Sequence, residues 1–272
     1  MTATDTTSTT TEWLQRFERS LQAGDPLGAS DTLRKSGVNG WVRKDHYDRA
    51  VEVIDRIGPA ARVRLDWAER LMAHPRRVDK ELAALMVWPL ARTHFHELTR
   101  MAYRLARDDD WGVRESAASL LGELLTQAWA ETIPQLREWV GGPDSRLRRA
   151  VVVAAKYAAR TRNPDWAEPL LDLIEPALRD HEEYVRKSLG PFAIGDQFVR
   201  SYPDATLARM RVWTQDPDEN VRGNVAMALS AASGARLGQK APDILEFLAS
   251  DERPLVRGAV RAAQRRIRTL VA

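Results

Sequence analysis

The feature that most constrains this chain is a five-fold recurrence of an acidic residue followed by Val or Leu and then Arg. It reads Asp110-Trp-Gly-Val-Arg114, Asp144-Ser-Arg-Leu-Arg148, Glu182-Glu-Tyr-Val-Arg186, Asp218-Glu-Asn-Val-Arg222 and Glu252-Arg-Pro-Leu-Val-Arg257. Successive arginines are 34, 38, 36 and 35 residues apart. Three positions after each arginine stands Ala117, Val151, Leu189, Val225 or Val260, four residues from the preceding Val or Leu, which is the spacing of one helix face. Between these segments the pattern predicts second helices over 127–140, 165–179, 203–214 and 242–249. Gly141-Gly142-Pro143, Asn163-Pro164 and Asp216-Pro217 punctuate the links. Upstream, 78–90 and 94–107 continue the pattern, and 45–73 reads as two more helices parted at Gly58-Pro59. No stretch alternates with period two. Units of about 35 residues, each an antiparallel helix pair, imply an all-α solenoid, because stacking buries what one pair cannot. The repeats are clear over 75–272. The whole of 11–272 is expected to form one solenoid domain with a concave groove, preceded by a disordered Thr-rich tail at 1–10.

Composition removes whole classes of chemistry. The 272 residues contain no cysteine, which excludes disulfides, thiolate zinc sites, iron–sulfur clusters and cysteine nucleophiles, and fits a reducing cytosol. The longest apolar run, residues 83–91, is far short of the roughly 20 needed to span a bilayer. No phosphate-binding glycine loop, hydrolase serine elbow or zinc-protease helix motif is present. His94 and His96 point to different helix faces, and Asp108-Asp109-Asp110 reads as the cap of the helix that follows. No metal and no cofactor are therefore expected. Lysine and arginine number 41 against 38 acids, a net charge of +3, so any basic surface has to be local.

The repeated V-R element resembles HEAT repeats. Within it, the V-R arginines Arg114, Arg186, Arg222 and Arg257 are expected to bridge to acids of neighbouring repeats. The residue after each arginine lies about 200° round the helix from the core Val or Leu, on the open face. Through the repeats that residue is Glu115, Arg149, Lys187, Gly223 and Gly258, and Trp111 lies one turn before Glu115. Trp111, Glu115, Arg149 and Lys187 are therefore expected on one concave surface.

Trp111-Gly-Val-Arg-Glu115-Ser116, followed by Leu147-Arg-Arg149-Ala150, resembles the signature of the AlkD-type DNA glycosylases, over about residues 75–235. That resemblance implies a HEAT-like solenoid that excises positively charged N-alkylated purines from double-stranded DNA, of the N3-methyladenine and N7-methylguanine type. It assigns Trp111, Glu115 and Arg149 to catalysis. The family acid is usually Asp, and its second Trp, four residues after the lysine matched by Lys187, is Pro191 here, with Phe192 beside it. Arg148, Arg149, Lys156, Lys187 and the final-helix arginines Arg257, Arg261 and Arg265 are expected to bind DNA. The implied setting is a cytoplasmic, nucleoid-associated monomer. Two other readings stay open on the residues: a DNA-binding HEAT protein without excision activity, and a protein–protein scaffold.

Overall fold

A computed structural model describes the backbone of residues 4–38 and 41–271 and the side chains of residues 12–38 and 41–270. Of the tail expected over 1–10, residues 1–3 lie outside the described residues; the backbone is helical from Thr4, and no side chain before Glu12 is described. Among the described residues there is no strand, only an isolated bridge between Val38 and Trp41. The architecture is an all-α repeat solenoid. The chain forms two compact units, residues 1–120 and 121–272.

The first unit contains α1 (Thr4–Gln22), α2 (Pro26–Lys35), α3 (Lys44–Ile57), α4 (Ala61–Met72), α5 (Arg77–Met86), α6 (Phe95–Ala106) and the start of α7 (Trp111–Gln127). The break expected at Gly58-Pro59 falls between α3 and α4, where Gly58 takes the left-handed φ of 62° that ends a helix cheaply only without a Cβ. Phe17, Leu21, Leu33, Ile54, Leu71, Leu82, Met86, Leu98 and Met101 fill its core. Two acids are buried with them and are satisfied. Asp79 accepts from Ser30 and Arg76, and Glu81 accepts from Tyr47 and Arg77. Burial, reinforced by the negative charge of Glu81, pushes the Tyr47 phenol far above its ordinary value and keeps it a donor.

The second unit contains α8 (Trp129–Gly141), α9 (Ser145–Ala158), α10 (Ala167–Ile174), α11 (Glu183–Ser188), a π-helical run Leu189–Phe198, α12 (Val199–Ser201), α13 (Pro203–Thr214), α14 (Glu219–Ala228), α15 (Ala232–Lys240), α16 (Pro242–Ala249) and α17 (Pro254–Val271). The helices expected at 203–214 and 242–249 are found with those bounds. The one expected over 165–179 is α10 between two turns of 3₁₀ helix. At 189–198 the chain widens into a π-helix, since Pro191 lacks an N–H to donate within the helical ladder. Gly195 lets that run approach α14: a Cβ there would lie 2.1 Å from the Ala228 carbonyl oxygen.

The V-R repeat has a physical basis. Carbonyls in the links have left their helices and lack an i+4 donor. Arg114 donates to the carbonyls of Asp108 and Asp109, both at 2.7 Å. Arg148 does the same for Gly142 at 3.0 Å and Pro143 at 2.8 Å, Arg186 for Asp180 and His181, and Arg222 for Asp216 at 2.6 Å. The same links hold an Asp that turns the chain by accepting the N–H two residues on: Asp108, Asp144, Asp180, Asp216 and Asp251. Bridging to the next repeat's acid occurs at Arg148–Asp180 and Arg222–Asp251. Arg257 instead lies exposed on α17. Val113 and Ala117 are fully buried, as their spacing requires.

Candidate nucleic-acid interface

In the first unit, Asp110 caps α7: its carboxylate accepts from Gly112 N at 2.7 Å and Val113 N at 3.3 Å. Asp108, next to it, pairs with Lys80 at 2.5 Å. The acidic triplet is thus a capping and pairing device. Among the described residues no three His, Asp or Glu side chains gather as a metal site. The cap places Trp111 at the first position of α7 with its indole 58% exposed. Glu115 follows one turn later on the same side of the helix, half-buried.

Sequence reasoning missed what stands beside Trp111. Arg77, at the start of α5, places its guanidinium carbon 5.9 Å from the Trp111 ring centroid and 4.5 Å from that of Trp41. Trp41 is itself 60% exposed. Arg77 is held from behind by Glu81, with Nε to Oε1 at 2.6 Å, and lies 3.8 Å from the capping Asp110. A Cβ at residue 112 would fall 2.4 Å from its guanidinium carbon. Trp41 belongs to no repeat, so its place beside Arg77 has no signature in the periodicity.

In the second unit, Arg149 on α9 is half-buried, and its guanidinium lies over the Tyr184 ring at 5.1 Å. Lys156, two turns further along α9, has its ammonium 5.7 Å from the ring centroid of Phe192, which is 57% exposed. Lys187 is exposed and pairs with Glu183 at 3.0 Å. On α17, Arg257, Arg261, Arg265 and Arg268 are exposed along one face, whereas Arg266 falls half a turn round from Arg257. Not all expected open positions are open. Gly223 is buried, and a Cβ there would meet Leu255 at 2.1 Å.

Arg148 behaves differently from its neighbour. Its Nε and Nη2 form a fork on Asp180 at 2.6 and 3.1 Å, while Nη1 serves the two link carbonyls. The side chains of the pair are only 16% and 4% exposed. The guanidinium that the sequence offered to DNA is engaged in joining two repeats.

The fold accords with the comparisons. The family described as DNA alkylation repair enzyme matches residues 37–192, more than half of the chain. The chain belongs to that family. Among solved structures it is similar to AlkD2 from Streptococcus mutans, with 18% identity and a TM-score of 0.60 over 75% of this chain and 97% of that one. It is also similar to smu.31 from the same species, with 18% identity and a TM-score of 0.54 over 80% of this chain and 97% of that one. At that identity the two structures support the fold. No curated protein matches the chain. Family membership gives the protein a role in DNA alkylation repair, and with it an interaction with DNA.

Proposed function

We propose that this protein is a DNA glycosylase that releases positively charged N-alkylated purines from duplex DNA. The observation that carries the reading is the start of α7, where an exposed indole and a half-buried carboxylate one turn apart sit in a chain of this repair family. An alkylated purine with a formal positive charge is a good leaving group. When its C1′–N bond breaks, the electron pair goes to the purine, which leaves neutral, and the sugar takes oxocarbenium character. The Glu115 carboxylate stabilises that developing charge and accepts the proton of the water that adds at C1′. The Trp111 indole face adds cation–π attraction of roughly 0.5–2 kcal/mol. Arg149 binds a backbone phosphate through its fork. Lys156, Lys187, Arg257, Arg261 and Arg265 supply further backbone affinity, and Phe192 provides an aromatic face in place of the second indole. No step requires the base to be flipped into a deep pocket, unlike most enzymes that act on bases.

The test is release of free base. Duplex DNA methylated at purines is incubated with the protein, and the supernatant is assayed for 3-methyladenine and 7-methylguanine. Release above the spontaneous rate is expected; salt-dependent binding without release would assign the protein to a non-excising role.

A further inference from the structure

We propose that Arg77 is a positioning residue that fixes the two exposed indoles, Trp41 and Trp111, as flat contact surfaces for the lesion nucleotide, and that residue 112 is glycine to leave it room. The use of Trp111 toward the sugar of that nucleotide rests on the glycosylase reading above; the fixing of the indoles does not.

The argument starts at the buried end. Glu81 is held within the core of the first unit by the Tyr47 hydroxyl, so its carboxylate has one orientation. Arg77 donates Nε to it at 2.6 Å, and this directs the rest of the guanidinium toward the surface. There the planar cation comes within cation–π range of both indoles, at 4.5 Å for Trp41 and 5.9 Å for Trp111. Two indoles 60% and 58% exposed would otherwise sample several rotamers. An arginine whose charge is already met by Glu81 and Asp110 is poorly placed to bind phosphate but well placed to hold aromatic faces. Gly112 supplies an independent handle. A methyl group there would sit 2.4 Å from the guanidinium carbon and Nη2, at the far end of a flexible side chain that can swing away. Gly112→Ala thus displaces Arg77 while favouring helix at that position.

The full chain, labelled with 5-fluorotryptophan, is compared by 19F NMR. Trp41→Phe and Trp111→Phe each delete one of nine signals and so assign them. Arg77→Ala and Gly112→Ala are both expected to move the Trp41 and Trp111 signals. In the Arg77→Ala background, Gly112→Ala is expected to add nothing, since its obstacle has gone. Single-turnover excision at saturating DNA should fall roughly tenfold in all three variants, the scale of a modest misplacement, with the Kd for DNA within about twofold of wild type. Unmoved signals, a loss in Kd rather than rate, or additive losses in the double variant would overturn the proposal. A wild-type chain that excises nothing, while the signals move as stated, would remove the glycosylase reading and leave the positioning role standing.

Discussion

Replacing Arg148 by Ala separates a structural arginine from a DNA-binding one. In the folded chain this guanidinium makes four hydrogen bonds, at 2.6 and 3.1 Å to Asp180 and at 3.0 and 2.8 Å to the Gly142 and Pro143 carbonyls. Asp180 is 4% exposed, so truncation leaves a buried carboxylate with its principal cation gone. Breaking such a pair costs about 3–5 kcal/mol when burial is complete. Arg148 itself is 16% exposed, which lets some water reach the gap and favours the lower end, about 3 kcal/mol. For a chain of this size that corresponds to a fall in Tm of roughly 6–12 °C. Arg148→Lys keeps the charge but not the fork, and should fall between the two. Thermal unfolding by circular dichroism reads the loss. A DNA-binding titration across salt concentrations, well below the lowered Tm, reads the second half, where the slope should equal that of wild type. A variant that melts like wild type but loses about one unit of salt slope would show that Arg148 serves phosphate and that its pairing with Asp180 is incidental.

Three further outcomes follow from particular contacts. Arg149→Ala, next door on α9, should lose about one unit of salt slope in DNA binding; an unchanged slope would mean it touches no phosphate. The hydrogen bonds of Lys35 and then Arg34 hold the Asp31 carboxyl at about 2, below its ordinary 3.8. Between those values the unfolded chain binds the proton that the folded chain refuses. The contribution is therefore complete above about pH 5 and lost as pH falls toward 2, so Asp31→Asn should flatten part of the acid-side drop in Tm; an identical pH profile in the variant would contradict this. Gly195→Ala would press a methyl group onto the Ala228 carbonyl oxygen at 2.1 Å, against backbone that cannot swing aside. A loss of about 1–3 kcal/mol is expected in chemical unfolding, and wild-type stability would refute the close approach.

Much of the fold was legible because the V-R register repeats a physical task, closing a link, at each turn of the solenoid. Helices α13 and α16 were placed to the residue since Pro203 and Pro242 open them. By contrast, α15 was not predicted. Its sequence ASGARLGQK carries a thin apolar face, and its packing relies on Gly234, where a Cβ would lie 1.9 Å from the Ala228 oxygen. Periodicity cannot register contact made by an absent side chain. Arg148 shows a different limit. Its register with Arg114, Arg186 and Arg222 already marked it as a link arginine, yet its adjacency to Arg149 drew it into the basic surface. Trp111 was readable from its place after the acid, and its exposure follows from the cap. Trp41 and Arg77 come together only through the tertiary path from Tyr47 to Glu81, which leaves no spacing in the sequence.

The measurement that tests the central claim most directly is single-turnover excision from methylated duplex DNA by wild type and Glu115→Gln, with DNA binding measured separately. The variant keeps size and hydrogen bonding and removes only the negative charge. Wild type should release the alkylated purine, and the variant should bind DNA equally while excising on the order of 10²-fold more slowly, with the smallest loss on the most labile lesions. Glu115→Asp should retain much of the activity. Excision by Glu115→Gln at the wild-type rate would contradict the account, since the charge at Glu115 would then play no part in breaking the bond.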